Sequence, residues 1–342
     1  MNRLCKVVFC VLLTIACGAQ TVRPKVPCAA CHAQGRSQPA TSMARAAETP
    51  EESAILASNP LVTFKSGAYS YKIERRGDQS IYSVTDGKQT LEVPIGWAVG
   101  AGRVGQTYVY QKDGEFYESR VSYFSASKAL DITIGHQGNK PTDLLSAAGR
   151  RVGPAEATKC FECHATNATE AGKLTLDKMQ AGVRCVHCHT AANRHLAGLA
   201  EGELHLDEMK KLSTMPAEDV LTFCGQCHRT AADVNTNAND LNTVRFAPYR
   251  LSLSKCYDLE DKRITCLACH DPHEEVTDDQ AHYDSKCLAC HGGGKAAAKP
   301  CKVAKKDCAT CHMPKVELPG SHHQFVDHLI QIAKKSGRSA GR

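Results

Sequence analysis

Seven copies of Cys-x-x-Cys-His punctuate this chain of 342 residues, at Cys28/Cys31/His32, Cys160/Cys163/His164, Cys185/Cys188/His189, Cys224/Cys227/His228, Cys266/Cys269/His270, Cys287/Cys290/His291 and Cys308/Cys311/His312. Two thiols three positions apart reach the two vinyl groups along one haem edge. The adjacent imidazole is then carried under the iron as its proximal ligand, so each copy reads as one covalently attached haem c. Zinc ribbons use Cys-x-x-Cys pairs without a His after every second Cys, and a redox dithiol would occur once beside a βαβ pattern. With 19 Cys and 16 His in the chain, chance alone supplies roughly 0.05 such motifs.

The ligand on the far side of each iron decides what the haem does. Two axial imidazoles give a six-coordinate electron carrier, whereas an open position binds a substrate. Beyond the proximal seven, nine histidines remain: His136, His187, His195, His205, His273, His282, His322, His323 and His328. His187 lies inside the third attachment loop, too close to its own haem edge to reach that iron's far face. His195 and His273 follow their motifs closely and are the strongest distal candidates, for neighbouring haems. His322 and His328 come next, with His323 either the solvated neighbour of His322 or its replacement. His136, His205 and His282 complete the candidate set, and isolated surface histidines are common. No catalytic residue is assigned, and no Cys-x-x-Cys-Lys motif of the kind reductases use occurs. Three cysteines, Cys5, Cys10 and Cys17, precede the motifs. Of the other 16, Cys256 and Cys301 are left over, which in an oxidising compartment suggests a disulfide, with two free buried thiols as the alternative.

The motifs are unevenly spread, with first-cysteine intervals of 132, 25, 39, 42, 21 and 21 residues. Residues 61–125 hold 11 of the 19 Phe, Tyr and Trp residues and neither Cys nor His. Their β-branched and aromatic runs are broken at Arg76-Gly77-Asp78, Asp86-Gly87 and Lys112-Asp113-Gly114, which are hairpin signals. The glycines at 96, 100, 102 and 105 point to tight backbone, since no Gly-x-Gly-x-x-Gly precedes a helix there. Elsewhere Glu170–Ala181 and Leu196–Leu212 have helical composition, and Gln38–Asn59 reads as a linker or loose helix. The expected fold is a mainly irregular and α multihaem cytochrome c with a haem-packed core and a small antiparallel β insert, α+β overall. Its expected divisions are an export signal over 1–19, a first haem segment and linker over 20–59, the β insert over 60–135, a six-haem array over 136–330 and a basic tail over 331–342. Residues 154–328 have too few large apolar side chains for their length, so macrocycles must fill that core.

Arg3 and Lys6 followed by the apolar run Val7–Ala16 have the form of a secretory signal, too short to span a bilayer. Thioether attachment also requires export in bacteria, so the expected location is the periplasm. Leu13 to Cys17 resembles a lipobox, which would leave a lipidated Cys17 as a membrane attachment; cleavage after Ala19 is the other reading. The formal charge of +6 does not argue for nucleic acid. Export removes Arg3 and Lys6, fourteen propionates add fourteen negative charges and seven ferric centres return seven positive ones, leaving about −3 when oxidised and about −10 when reduced. The expected partners are redox proteins, a quinol-side donor and a terminal acceptor. The tail Lys334–Arg342 reads as a frayed, solvated end.

Several longer stretches carry a family resemblance: Phe246–Leu251, Ser254–Tyr257, Thr265–His273, Cys308–Lys315, His322–His328, Gly182–His189 followed by His195, and, in the β insert, Ala98–Tyr110 and Glu118–Phe124 before Leu130–His136. The chain resembles the multihaem cytochromes related to the hydroxylamine-linked tetrahaem cytochrome c, a group often fused to tetratricopeptide repeats, over nearly all its mature length. The resemblance implies haems stacked in parallel and near-perpendicular pairs, mostly with two axial His, serving electron transfer. It supports His195, His273, His322 and His328 as distal ligands, and His136 more weakly. At the first haem the group often has Ser-x-His where this chain has Thr41-Ser42-Met43, so Met43 is a candidate thioether ligand, packing against the porphyrin being the alternative. The leading expectation is a periplasmic electron carrier, and the alternative is a reductase of a small nitrogen or sulfur oxyanion or of hydroxylamine at one five-coordinate haem.

Overall fold

The computed structural model describes residues 27–203, 211–234, 240–292 and 300–332. Its largest ordered unit is a pair of antiparallel sheets. One joins β2 (Leu61–Ser66), β3 (Tyr69–Arg76), β4 (Gln79–Thr85) and β5 (Thr90–Pro94) in sequence order. The other runs in the order β1 (Ala47–Glu48), β6 (Trp97–Val99), β7 (Gly105–Lys112), β8 (Glu115–Phe124) and β10 (Gly149–Val152), with β9 (Ala129–Ile132) also paired to β8. The turn between β7 and β8 places Asp113 at φ 52° and Gly114 at φ 80°, the left-handed pair that matches the twist of a two-residue hairpin. Alternating side chains from both sheets, among them Tyr71, Ile73, Tyr82, Val84, Tyr108, Tyr110 and Val121, form one shared core.

The sheet content overturns the expectation of a mainly irregular and helical protein with a small β insert. The two sheets reach beyond 60–135 because Ala47–Glu48 pairs with Ala98–Val99 on one edge and Gly149–Val152 pairs with Phe116–Ser119 on the other. Further two-stranded sheets join Ala165–Thr166 to Gln180–Ala181, Thr169–Glu170 to Lys173–Leu174, and Lys315–Glu317 to Gln324–Val326. Glu170–Ala181 is therefore not a helix: Ala171 at φ 49° and Gly172 at φ 74° make a hairpin turn that breaks it. The helix expected over Leu196–Leu212 instead spans Ala192–Glu201 and stops at Gly202 in the left-handed conformation. Gln38–Asn59 forms turns, β1 and the short helix Ala54–Ser58, whose first turn is capped by Ser53.

The haem-rich remainder is held by short helices, Pro154–His164, Ala217–His228 and Gln280–His291 being the longest. Its buried apolar residues are small or scattered, for example Ala157, Ala217, Val220, Val244 and Leu318. Such a set cannot form a continuous side-chain core of the kind the sheets share. The two regions meet where Trp97 of β6 and Phe116 of β8 both pack edge-on to Phe161 in the second attachment motif, with ring centroids 5.0 and 5.8 Å from Phe161.

Candidate haem-binding sites

Each motif is wound into a helical turn: Cys28–Ala30 and Cys266–Ala268 are 3-10 turns, Cys185–Cys188 and Cys308–His312 are short α-helices, and the other three lie at the C-terminal ends of the longer helices. A turn of this pitch puts positions i, i+3 and i+4 on one side. Both thiols and the proximal ring therefore share a face, the arrangement a single macrocycle requires.

The fit to haem is tested by what lies opposite those rings. An imidazole nitrogen ligates at about 2 Å and sits about 1.2 Å from its ring centre, so two imidazoles trans on one iron have centroids about 6.3 Å apart. Three histidine pairs meet this condition. His32 and His195 are 6.3 Å apart at an interplanar angle of 59°, His189 and His273 are 6.1 Å apart at 5°, and His270 and His328 are 6.2 Å apart at 40°. Each pair combines a motif histidine with one of the distal candidates, His195 and His273 from the strongest and His328 from the next. In each, the candidate follows a later motif, so the segments interlock.

Ring hydrogen bonds sort the remaining histidines. His164 donates through Nδ1 to Ala46 O, 3.0 Å, and His312 through Nδ1 to Gln331 O, 2.7 Å; a carbonyl acceptor fixes the Nδ1–H tautomer and frees Nε2 for a metal. His328 uses Nδ1 toward Val326 O at 3.1 Å, and His273 uses Nδ1 toward Asp271 Oδ1 at 3.0 Å. In contrast, Nε2 of His136 faces Glu118 Oε2 at 3.0 Å, and Nε2 of His322 faces Asp131 Oδ2 at 2.8 Å. His136 is buried and His322 packs edge-on to Phe124. Both thus serve carboxylates in this arrangement. His282 is exposed against Tyr283, His323 lies against Phe325, and His187 is half-buried. His205, the signal region and the basic tail lie outside the described residues.

Met43 is the other expected candidate opposite His32, where the His195 ring lies 6.3 Å from the His32 ring. The Met43 segment is docked along the third motif: Met43 O accepts from Val183 N at 3.1 Å, and Gln38 Nε2 donates to Val183 O at 2.7 Å. Gly182, at φ 79°, lies so close that a Cβ there would sit 1.8 Å from Ala44 O. Cys256 is half-buried, Cys301 is exposed, and both thiols are free.

Motifs distant in sequence touch in space. The Cys163 thiol meets Cys227, and Cys224 meets Cys266, each within hydrogen-bonding reach. Cys185, raised by burial, also feels Cys28, and Cys308, pushed up to about 12 by burial and Asp284, also meets Cys287. Burial together with His328, His282 and His228 pushes His270 down to about 4, keeping it the neutral imidazole that a metal takes.

The other motif cysteines sit differently. Cys31, Cys160 and Cys311 are exposed, and Cys290 is half-buried beside the non-motif Cys256 and Arg263. All four are free thiols, like the rest of the motif set, and none of them meets a thiol of another motif among the described residues. Cys31, Cys290 and Cys311 are each the second cysteine of their motif, so the sequence-expected attachment there rests on the motif turn alone, without the packing that brackets Cys163 or Cys224.

Sequence reading missed the groups that orient these rings, Asp271, Ala46, Val326 and Gln331. Three act through backbone carbonyls, which any residue type supplies, so no residue-type signal existed. Asp271 was visible in Cys-His-Asp-Pro-His but had no assigned role. Also unforeseen was the clasp in which Glu275 accepts from the Ser42 backbone N and hydroxyl and from Arg103, while Arg103 also reaches Val276 O and Asp278. It ties the first-haem segment, a β-unit loop and the loop carrying His273 together.

Paired thiols with a helically adjacent imidazole, and second imidazoles at trans-ligation distance, define a c-type cytochrome. A family profile described as cytochrome c554 and c-prime matches residues 120–190. The multiheme cytochrome MtrA of Shewanella baltica (strain OS185) is 25% identical over 177 residues, which are 47% of this chain and 46% of that protein, so the match spans less than half of either. No solved structure matches the chain. With its repeated attachment motifs, the chain is a multihaem c-type cytochrome. Among the described residues, no helix is long and apolar enough to cross a membrane.

Proposed function

We propose that this protein is an exported, periplasmic carrier of single electrons with seven haems c, working between redox protein partners. All fourteen motif cysteines carry thioether bonds in this reading, the outlying Cys31, Cys160, Cys290 and Cys311 included. When bound, haem supplies one-electron iron chemistry; the chain's residues hold, orient and space it. His32 with His195, His189 with His273, and His270 with His328 are the axial pairs of the first, third and fifth haems. The observation that carries this assignment is the set of three centroid separations, 6.3, 6.1 and 6.2 Å, all at the spacing of trans imidazoles.

The thiol contacts support a spatial order that departs from the sequence order. Cys28 beside Cys185 joins the first site to the third, and Cys188, which feels Cys224, joins the third to the fourth. Cys224 beside Cys266 continues to the fifth, Cys269 near Cys287 to the sixth, and Cys287 beside Cys308 to the seventh. Cys163 beside Cys227 attaches the second site as a branch at the fourth. The exposed Cys31 and Cys311 belong to the first and seventh sites, the two ends of that order. The domain divisions, lipidation of Cys17, a Cys256–Cys301 disulfide and kinship with the hydroxylamine-linked group remain part of the proposal. A reductase reading has one observation in its favour: among the described residues, no second histidine ring faces His164, His228 or His312.

The test is intact mass and pyridine haemochrome content of the purified protein, followed by ferric electron paramagnetic resonance (EPR). Seven haems and at least three low-spin centres are expected. Fewer than seven haems, or only high-spin iron, would overturn the proposal; a high-spin signal altered by nitrite or hydroxylamine would favour the reductase.

A further inference from the structure

The three imidazole pairs differ in one respect that bears on their potentials. Among the described residues none of the proximal rings His32, His189 and His270 makes a ring hydrogen bond, so the difference lies on the distal side. Nδ1 of His195 is buried with no hydrogen-bond partner. Nδ1 of His328 faces a neutral backbone carbonyl, Val326 O, at 3.1 Å. Nδ1 of His273 faces a carboxylate, Asp271 Oδ1, at 3.0 Å, and the same oxygen accepts from the His273 backbone N at 2.9 Å.

A hydrogen bond from the outer nitrogen of a ligating imidazole makes the ring a stronger donor to the metal, and a carboxylate does so more than a carbonyl. Stronger donation stabilises ferric iron over ferrous iron and so lowers the reduction potential. We infer that these distal hydrogen bonds grade the relay, with the first haem highest, the fifth intermediate and the third lowest, and that Asp271 is the positioning residue that sets the third. The inference rests on the axial pairs proposed above. Each step is a one-electron change at iron with the ring N–H retained, so no proton or bond is exchanged.

The loop carrying Asp271 and His273 has no regular structure from 271 to 279. It is fastened by Glu275 to Ser42 and by Val276 O and Asp278 to Arg103. That clasp keeps a short sequence motif, Asp271-Pro272-His273, in one geometry on an otherwise exposed loop. Asp271 is itself largely exposed, so solvent screening reduces its effect without changing its direction.

The experiment is a potentiometric titration of the holoprotein followed by EPR, in which the interplanar angles of 5°, 40° and 59° give the three centres distinguishable signals. The most rhombic signal, from the near-parallel pair, should vanish at the lowest potential of the three, and the least rhombic at the highest. In Asp271→Asn, which keeps an oxygen acceptor for the turn but loses the charge, the rhombic signal should persist and its midpoint should move upward, the other midpoints staying in place. An unmoved midpoint, or the reverse ranking, overturns the inference. If the Asn variant loses haem, Asp271→Glu decides: recovery of haem with a low midpoint supports the charge, and equal loss in both means that Asp271 only shapes the turn, which overturns it. Absence of any rhombic low-spin signal in the unaltered protein would instead defeat the underlying His189–His273 pairing.

Discussion

Replacing His273 with Ala is the sharpest perturbation of the axial-pair assignment. The rings of His189 and His273 are stacked within 5° of parallel, whereas those of His270 and His328 are tilted by 40° and those of His32 and His195 by 59°. Each imidazole perturbs the iron d orbitals along the normal to its plane, so the rhombic part of the combined field falls as the cosine of the angle between planes. That leaves about 1.0, 0.8 and 0.5 of the maximum for the three pairs. His273→Ala should therefore delete one low-spin centre, the most rhombic of the set, and leave a high-spin or water-ligated iron in its place. His195→Ala should delete the least rhombic. Continuous-wave EPR on the oxidised holoproteins, with integrated spin counts, reads both. Persistence of the most rhombic signal in His273→Ala, or loss of the same signal in both variants, would refute the geometric reasoning.

Other consequences follow from the packing and the charges. Gly182→Ala forces a left-handed residue and drives a Cβ into Ala44 O, a cost of ~3 kcal/mol; it should lower the melting temperature and release the first-haem segment, and an unchanged melt would discount that docking. Arg250 and Asp327 form a buried, two-point ion pair beside His328, so Arg250→Met should cost about 3–5 kcal/mol by stranding the carboxylate and should convert the fifth haem partly to high spin, as seen in its optical spectrum. Trp97, the single tryptophan, lies 5.0 Å from Phe161 within the second attachment motif, so energy transfer to haem should strongly quench its fluorescence in the holoprotein, and Phe161→Ala should cost about 3–5 kcal/mol in a denaturant melt while the emission stays quenched; a bright unaltered protein would contradict this. Burial raises the Glu118 pKa, but His136 and Arg150 outweigh it, and the net shift is downward. The stability this gives is present above the unfolded value of about 4.3 and is lost as pH falls through the folded value. Denaturant titrations from pH 7 to 3 should therefore show a shallower acid loss in Glu118→Gln than in the unaltered protein.

What sequence revealed divides along physical lines. Haem attachment was legible because Cys-x-x-Cys-His is local chemistry: three side chains within one helical turn meet one ligand. The turns at Asp113-Gly114 and Asp86-Gly87 were legible for the same reason, since two residues set the backbone. The extent of the sheets was not, because Ala47–Glu48 and Gly149–Val152 are strands only through their neighbours; neither has a β-branched run of its own beyond Val152. Glu170–Ala181 misled because helical composition yielded to two left-handed residues at 171 and 172. The ring that lies 6.3 Å from His32 was hidden by distance along the chain. Met43 is eleven residues away and His195 is 163 away, and only the docking of Gln38–Glu48 on Gly182 and Val183 brings the latter ring to the first motif.

Iron positions test the central claim most directly. An anomalous difference map, recorded at the iron edge from crystals of the holoprotein, should contain seven peaks. One should fall midway between His32 and His195, one between His189 and His273 and one between His270 and His328, with the first peak nearest the third and the second nearest the fourth. A different number of peaks, or no iron between any of these ring pairs, would contradict the account.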